Sequence, residues 1–228
     1  AEVLEHVLPK YTSLHPPQTD EHLLDIEKIV EALSIDSQEK RKRLNDALRN
    51  TPFILSRLSN SDSESYQIPD QVYFPNNTLK MYFSGNSAVN YLHSIYQRCS
   101  EEILARLGVR NEVRIDKRKQ DFQGYIIIRD DRGRHERGLC GFDPDITVEG
   151  LSIALSSPTP ERSLYIWNKI VLPNFQCIRG TIEKSTRETY AYSSKDEIIS
   201  EAFGRLLIES KWLPGTDGHF LCPAEVSL

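Results

Sequence analysis

The sequence predicts an α+β fold of repeated helix–helix–β-hairpin units, elongated, with a mixed middle segment. Three observations carry this expectation. First, an apolar strand, a polar turn, an aromatic returning residue and a Pro-x-x-Val exit occur twice. One copy runs from Pro52-Phe53-Ile54-Leu55 to Tyr66 and Pro69-Asp70-Gln71-Val72, the other from Trp212-Leu213-Pro214 to Phe220 and Pro223-Ala224-Glu225-Val226. Second, one common offset relates Ala32-Leu33-Ser34 to Ala154-Leu155-Ser156, Glu39-Lys40 to Glu161-Arg162, and Leu48 to Ile170. Third, the two hairpins lie further apart than that offset, which implies an insertion at about 173–209 in the second unit. The expected organisation is a first unit at 1–74, a mixed segment with a basic hairpin at 75–145, and a second unit at 146–228.

Each element has a local reason. Thr19-Asp20 opens a helix whose stripe is Leu23, Ile26, Val30 and Leu33. Asp36-x-x-Glu39 starts a second, with Leu44, Ala47 and Leu48 inward and Asn50-Thr51-Pro52 as its stop. Phe53 to Leu58 reads as a strand, and Pro75-Asn76-Asn77 as a turn. Ser100-Glu101-Glu102 opens a short helix that Gly108 ends. Val113 to Ile115 and Tyr125 to Ile128 read as strands, the latter entering a turn at Asp131 to Arg134. A short helix follows at Val148 to Leu155, capped by Asp145 or Thr147. Beyond Pro158-Thr159-Pro160, Glu161 to Leu172 is a helix with Leu164, Trp167, Ile170 and Val171 inward. Ile178 to Ile182 and Glu188 to Tyr192 read as strands. Ser194-x-x-Glu197 is a capping box for a helix carrying Ile198, Ile199, Ala202, Phe203, Leu206 and Leu207.

Composition narrows the class. Hydrophobic content of 39% and charged content of 27% are those of a globular chain rather than a disordered one. A net charge of −5 argues against a generally nucleic-acid-binding protein. No apolar run approaches the roughly 20 residues that cross a bilayer, and residues 1–15 lack a signal-peptide pattern. Cys99, Cys140, Cys177 and Cys222 are far apart and form no Cys-x-x-Cys pair, which fits reduced thiols and a cytoplasmic location. The start without Met, and the stop two residues after the last strand-like exit, read as a fragment of a longer protein.

Chemical motifs are few. No phosphate-binding glycine loop is present, and Gly138-Leu139-Cys140-Gly141 reads as a loop. His6, His15 and His22 have no metal-ligand spacing and read as surface or loop residues. Asp143-Pro144-Asp145 with Glu183-Lys184 is a weak nuclease-like signal, and an Asp-Pro turn is the simpler reading. From Arg106 to Arg137, Lys and Arg outnumber Asp and Glu ten to six. Arg132, Arg134, His135 and Arg137 cluster at the hairpin tip and are the candidate partner-binding residues, for phosphates or an acidic surface. Interleaved acids make a solvated, salt-bridged face the plainer alternative. Trp167 and Trp212 are placed in the core rather than at an interface.

Several segments carry a family resemblance: Val7-Leu8-Pro9-Lys10-Tyr11, Arg137 through Asp145, Trp167-Asn168-Lys169, Gly180 with Glu183 through Arg187, and Trp212-Leu213-Pro214 to Val226. The chain resembles the non-catalytic part of sacsin-like and NO VEIN-like proteins, which pair a GHKL-type ATPase fold with long helical and hairpin regions. The resemblance implies a scaffold or interaction region of a chaperone-like or defence-associated machine, with protein partners or other domains of the same chain. It implies no enzyme activity and no cofactor in this region. Asn45-Asp46-Ala47 lacks the ATPase helix's preceding Glu, and Asp131-Arg132-Gly133-Arg134-His135 lacks the second glycine of its loop. ATP binding by the parent would therefore lie N-terminal of this chain. Two other classes stay open: a nucleic-acid-contacting module using 106–137, and an unrecognised hydrolase or nuclease.

Overall fold

The computed structural model describes all residues except 1, 14–16, 35–36, 62, 118–125, 130–134, 141–144, 186–192, 201 and 227–228. At 98, 126–129, 135–140, 180–185 and 193–198 it describes the backbone only. The chain mixes helix and sheet, as an α+β sequence should, and divides into two compact units, Ala1–Val113 and Arg114–Leu228. Residues 75–113, which the sequence assigns to a middle segment, supply two helices and a strand to the first unit.

The first unit opens with a π-helical turn, Val3–Val7, and a 3-10 turn, Leu8–Thr12. Helices α1 (Thr19–Leu33) and α2 (Gln38–Asn50) follow. The N-cap of α1 is Gln18, one residue before the expected Thr19, and makes no side-chain capping bond. Strands β1 (Ile54–Leu58), β2 (Glu64–Gln67) and β3 (Val72–Tyr73) come next, then α3 (Asn77–Tyr82), β4 (Asn90–Leu92) and α4 (Glu101–Leu107). The expected turn at Pro75-Asn76-Asn77 is the start of α3. Asn76 accepts a bond from the Leu79 amide at 2.8 Å, so its turn-forming side chain serves as a helix cap.

The strands form one sheet in the order β2-β1-β4-β3, antiparallel except for the β3–β4 pair. β1 is internal because its start is apolar on both faces: Phe53, Ile54 and Leu55 are all buried. The core joins Val7, Leu8, Ile26, Ile29, Leu44, Leu48, Phe53, Ile54 and Leu104. Gly108 closes α4 in the left-handed region at φ 114°, and a Cβ there would lie 3.1 Å from the Pro69 Cβ. The chain then returns to β3, where the Arg110 amide bonds to the Val72 carbonyl at 2.9 Å.

The second unit contains β5 (Ile115–Lys117), β6 (Ile126–Arg129), β7 (His135–Cys140), β8 (Ile146–Val148), α5 (Leu151–Ser156) and α6 (Pro160–Tyr165). It continues with β9 (Arg179–Ser185), β10 (Ser193–Ile199), α7 (Phe203–Glu209), β11 (Leu213–Pro214) and β12 (Phe220–Leu221). The larger sheet has the order β10-β9-β7-β6, with every pair antiparallel; β5–β8 and β11–β12 are two-stranded. α6 runs on as a π-helix, Ile166–Val171, and a 3-10 turn, Leu172–Cys177.

Three local expectations are corrected here. Ser194-x-x-Glu197 lies in β10, not in a helix, because seven consecutive pairings to β9 satisfy that backbone. Helix is confined to α7. Gly138 to Cys140, read as a loop, is strand, paired with both β6 and β9. Asp145 does not cap the helix that follows it. It accepts bonds from the Ala202 and Phe203 amides at 2.7 and 3.1 Å and so caps α7 across the fold. The Glu188 to Tyr192 strand lies outside the described residues.

Candidate functional site

The most concentrated chemistry is inside the first unit. Tyr11, His22, Asp25 and Tyr96 are all buried, with His22 wholly out of solvent. They come from four places: the N-terminal 3-10 turn, two positions on α1, and the short turn Ser94–Arg98. His22 contradicts its reading as a surface residue. Its signal was present: His22, Asp25, Ile26, Ile29 and Leu33 form a helical stripe one step around from the expected one. Ile29, which the expected stripe omits, is fully buried.

The side chains form a directional chain of hydrogen bonds. The Tyr96 hydroxyl accepts from the Leu55 amide at 2.9 Å and bonds to His22 Nε2. His22 Nδ1 lies 2.7 Å from the Tyr11 hydroxyl, which donates to Asp25 Oδ2 at 3.4 Å. Lys10 donates to both Asp25 oxygens at 3.2 Å and to Glu21 at 2.7 Å. This pattern assigns the Nδ1–H tautomer to His22. Tyr96 then donates to Nε2, Nδ1–H donates to Tyr11, and Tyr11 donates onward to Asp25, so every proton has an acceptor. In the other tautomer Tyr96 receives two donors and its own proton has no acceptor among these groups.

Burial sets the protonation states. Desolvation lowers His22 to about 4, so the ring is neutral at neutral pH. Burial, reinforced by the Asp25 charge, pushes the Tyr11 phenol far up, and burial does the same to Tyr96. Tyr66, edge-on to both Tyr11 and His22 and bonded to the Pro17 carbonyl at 2.9 Å, rises to about 12, chiefly through burial. Lys10 is raised, first by its bond to Glu21. The cluster is a set of neutral donors and acceptors ending in the two ion pairs of Lys10, with Asp25 and Glu21, near the surface. Its own members use its bonding capacity, and no buried side-chain N or O among the described residues lacks a partner. The arrangement ties the N-terminal turn, α1, β1 and the 94–98 turn together. The Tyr96 ring also forms part of the wall of an open cleft of about 650 Å³.

Of the candidate partner-binding residues, Arg132 and Arg134 lie outside the described residues. His135 and Arg137 are placed by backbone alone, in β7 opposite Arg129 and Ile127. They share one parity of the strand. Glu183 and Lys184 sit in β9 opposite Leu139 and Gly138. Asp145, the one described member of the Asp-Pro-Asp motif, is occupied as the cap of α7. Among the described residues no group of His, Cys, Asp and Glu is arranged to hold a metal ion, and no helix is long and apolar enough to cross a membrane.

The tryptophans divide. Trp212 is buried, its indole donating to the Leu207 carbonyl at 2.9 Å. Trp167, expected in the core, is 40% exposed, and Leu164, Leu172 and Phe175 are more exposed still. Ser163, Ile166 and Ile170, spaced three and four apart, form the inward face with Val171, and Leu164 and Trp167 lie one position further round, toward solvent. No family model, no curated protein and no solved structure matches the chain.

Proposed function

We propose that this chain is a non-catalytic scaffold or interaction region of a larger, sacsin-like or NO VEIN-like protein that carries a GHKL-type ATPase module elsewhere. In this reading it couples that module to a protein partner in a chaperone-like or defence-associated machine. The observation that carries the reading is the exposed apolar run Leu164, Trp167, Leu172 and Phe175. Lys169 is the single charged residue between Ser163 and Ile178, so the run has the charge-poor, aromatic composition of an interface centre. The buried Tyr-His-Asp cluster supports the same reading, since its groups are spent on joining elements. Cys99, Cys177 and Cys222 form no disulfide, which fits a reducing cytoplasm.

The test is association of the chain with the ATPase module of its parent, followed by sedimentation. Phe175→Asp combined with Leu172→Asp should abolish the complex without lowering the chain's melting temperature. ATP binding or hydrolysis by this chain alone, or a complex indifferent to both substitutions, would overturn the reading.

A further inference from the structure

The cleft beside Tyr96 has features that the interaction reading does not use. It lies in the first unit, between the end of β1, α3, β4, the 94–98 turn and α4. Its volume, about 650 Å³, is within the roughly 300–1,000 Å³ of ordinary ligand pockets. Phe74, Phe83 and Tyr96 contribute buried aromatic surface to the lining. Arg57, Lys80 and His93 contribute donors. Glu101 is the one acid in the lining, set against Arg57 and Lys80.

Much of this lining is held in place before any ligand arrives. Glu64 accepts from Arg57 at 3.1 Å and bonds His93 Nε2 at 2.8 Å, fixing both side chains in one orientation. The His93 Nδ1 accepts from the Ile95 amide, which leaves Nε2 as the donor to Glu64. On the opposite strand connection, the Ser59 hydroxyl donates to the Asn86 carbonyl at 2.8 Å, and Asn86 Oδ1 accepts from the Ala88 amide at 3.0 Å. The 83–88 loop is thereby anchored to the end of β1. Lys80 differs: it is exposed on α3, and no acid among the described residues pairs with it. An exposed ammonium in the lining of an aromatic-walled cleft, unpaired among the described residues, is suited to an anion attached to an apolar group.

We propose that this cleft docks a peptide segment of a protein partner in which an aromatic side chain stands next to a carboxylate. The aromatic side chain would enter between Phe74, Phe83 and Tyr96, and the carboxylate would meet Lys80, with Arg57 as the second cation. Ser94 and Gln97, exposed in the lining, offer partners to the peptide backbone. The proposal rests on reading the chain as an interaction region, but it uses a surface distinct from the Leu164–Phe175 run. Because the Tyr96 hydroxyl is already committed to His22 and Leu55, the ring is a fixed wall rather than a mobile one.

Fluorescence anisotropy of the whole chain with three labelled pentapeptides tests this: Glu-Phe-Glu-Phe-Glu, Lys-Phe-Lys-Phe-Lys and Glu-Ala-Glu-Ala-Glu. The first should bind at least about tenfold tighter than the other two, and K80E should remove about that factor. Lys80 is exposed, so K80E should fold normally, and an unchanged melting curve verifies this. Cys99 lines the cleft and is half-buried, so saturating Glu-Phe-Glu-Phe-Glu should slow its alkylation by iodoacetamide several-fold. Equal binding of the three peptides, unchanged affinity in K80E, or an unprotected Cys99 would each overturn the proposal. If that happens while the complex with the ATPase module survives, the cleft proposal alone falls. Loss of the module complex with peptide binding intact overturns only the wider reading.

Discussion

The two hairpins are locally alike and differ in what surrounds them. Each ends in a proline-led 3-10 turn, Pro69–Gln71 in the first and Pro223–Glu225 in the second. The first hairpin is embedded in a four-stranded sheet, with Phe53, Ile54 and Val72 wholly buried. The second is a separate two-stranded sheet whose returning strand is only half-buried, and Val226 is 43% exposed. The anchors differ accordingly. The first is tied through Tyr66 and Tyr96 to a polar network shared with α1. Among the described residues the second is held chiefly at Trp212, whose indole donates to the Leu207 carbonyl and whose own carbonyl accepts from the Ser163 hydroxyl, with Cys222 Sγ 3.4 Å from the Glu209 carbonyl. The same punctuation therefore yields a sheet-wide attachment in one unit and attachment through a few bonds around Trp212 in the other. An isolated two-stranded hairpin is marginal in water, so the second depends on its anchor.

The sharpest way to break the comparison is Trp212→Ala. It should cost about 3–5 kcal/mol and release the terminal hairpin, measured by denaturant unfolding and by proteolysis after Lys211.

Acid should act in the opposite direction, on the first unit. The folded-state value of His22, about 4, lies below the ordinary value of about 6.5. The unfolded chain therefore takes up a proton first as the pH falls. The stabilisation is complete above about pH 6.5 and is lost progressively down to about pH 4, on the order of 3 kcal/mol in all. His219, in the second hairpin, is exposed. Denaturation midpoints between pH 7 and 4 should fall for the wild type and stay flatter in His22→Gln; a parallel fall in the variant would assign the loss to other groups.

Tyr96→Phe removes one hydroxyl and leaves both the Leu55 amide and His22 Nε2 without their partner. It should cost about 1–3 kcal/mol, with the loss confined to the first unit in amide exchange. An unchanged midpoint would show that the network is ornamental to stability.

The smallest effects separate two glycines, Gly108 at the end of α4 and Gly218 in the β11–β12 loop. Gly108 and Gly218 both have positive φ, 114° and 82°. Only Gly108 also faces a neighbour, the Pro69 Cβ, whereas a Cβ at Gly218 meets nothing within 4 Å. Gly218→Ala should cost about 1 kcal/mol from the backbone alone, and Gly108→Ala measurably more, by thermal melting. Equal losses would show that the Pro69 contact yields freely.

The elements legible in the sequence were those with short-range causes. The inward Leu44 and Leu48 of α2, the apolar start of β1, the glycine stop of α4 and both proline exits each rest on residues within a few positions of one another. Misreadings occurred where a distant partner outweighed a local signal. The capping-box pattern at Ser194 lost to a seven-residue ladder with β9. Asp145, adjacent to one helix, caps another 57 positions away. Trp167 lies outside the core because the buried stripe is Ser163, Ile166 and Ile170, one position round from Leu164 and Trp167, and apolar spacing does not say which of two adjacent stripes is covered. Of the exposed run, the sequence places Leu164 and Trp167 inward and assigns no role to Leu172 or Phe175.

The sequence alone determined the α+β class, the placement of most strands and helix ends, and the low net charge, because those follow from local propensity and composition. Only the tertiary structure decided which of the two adjacent stripes of α1 is covered, the one with His22 and Asp25, and that Tyr96 joins a buried network to the wall of a cleft. Tyr11, His22 and Tyr96 sit 11 and 74 positions apart along the chain. Periodicity places a residue on a face of its own element, but which partner that face meets depends on the folding of the whole unit.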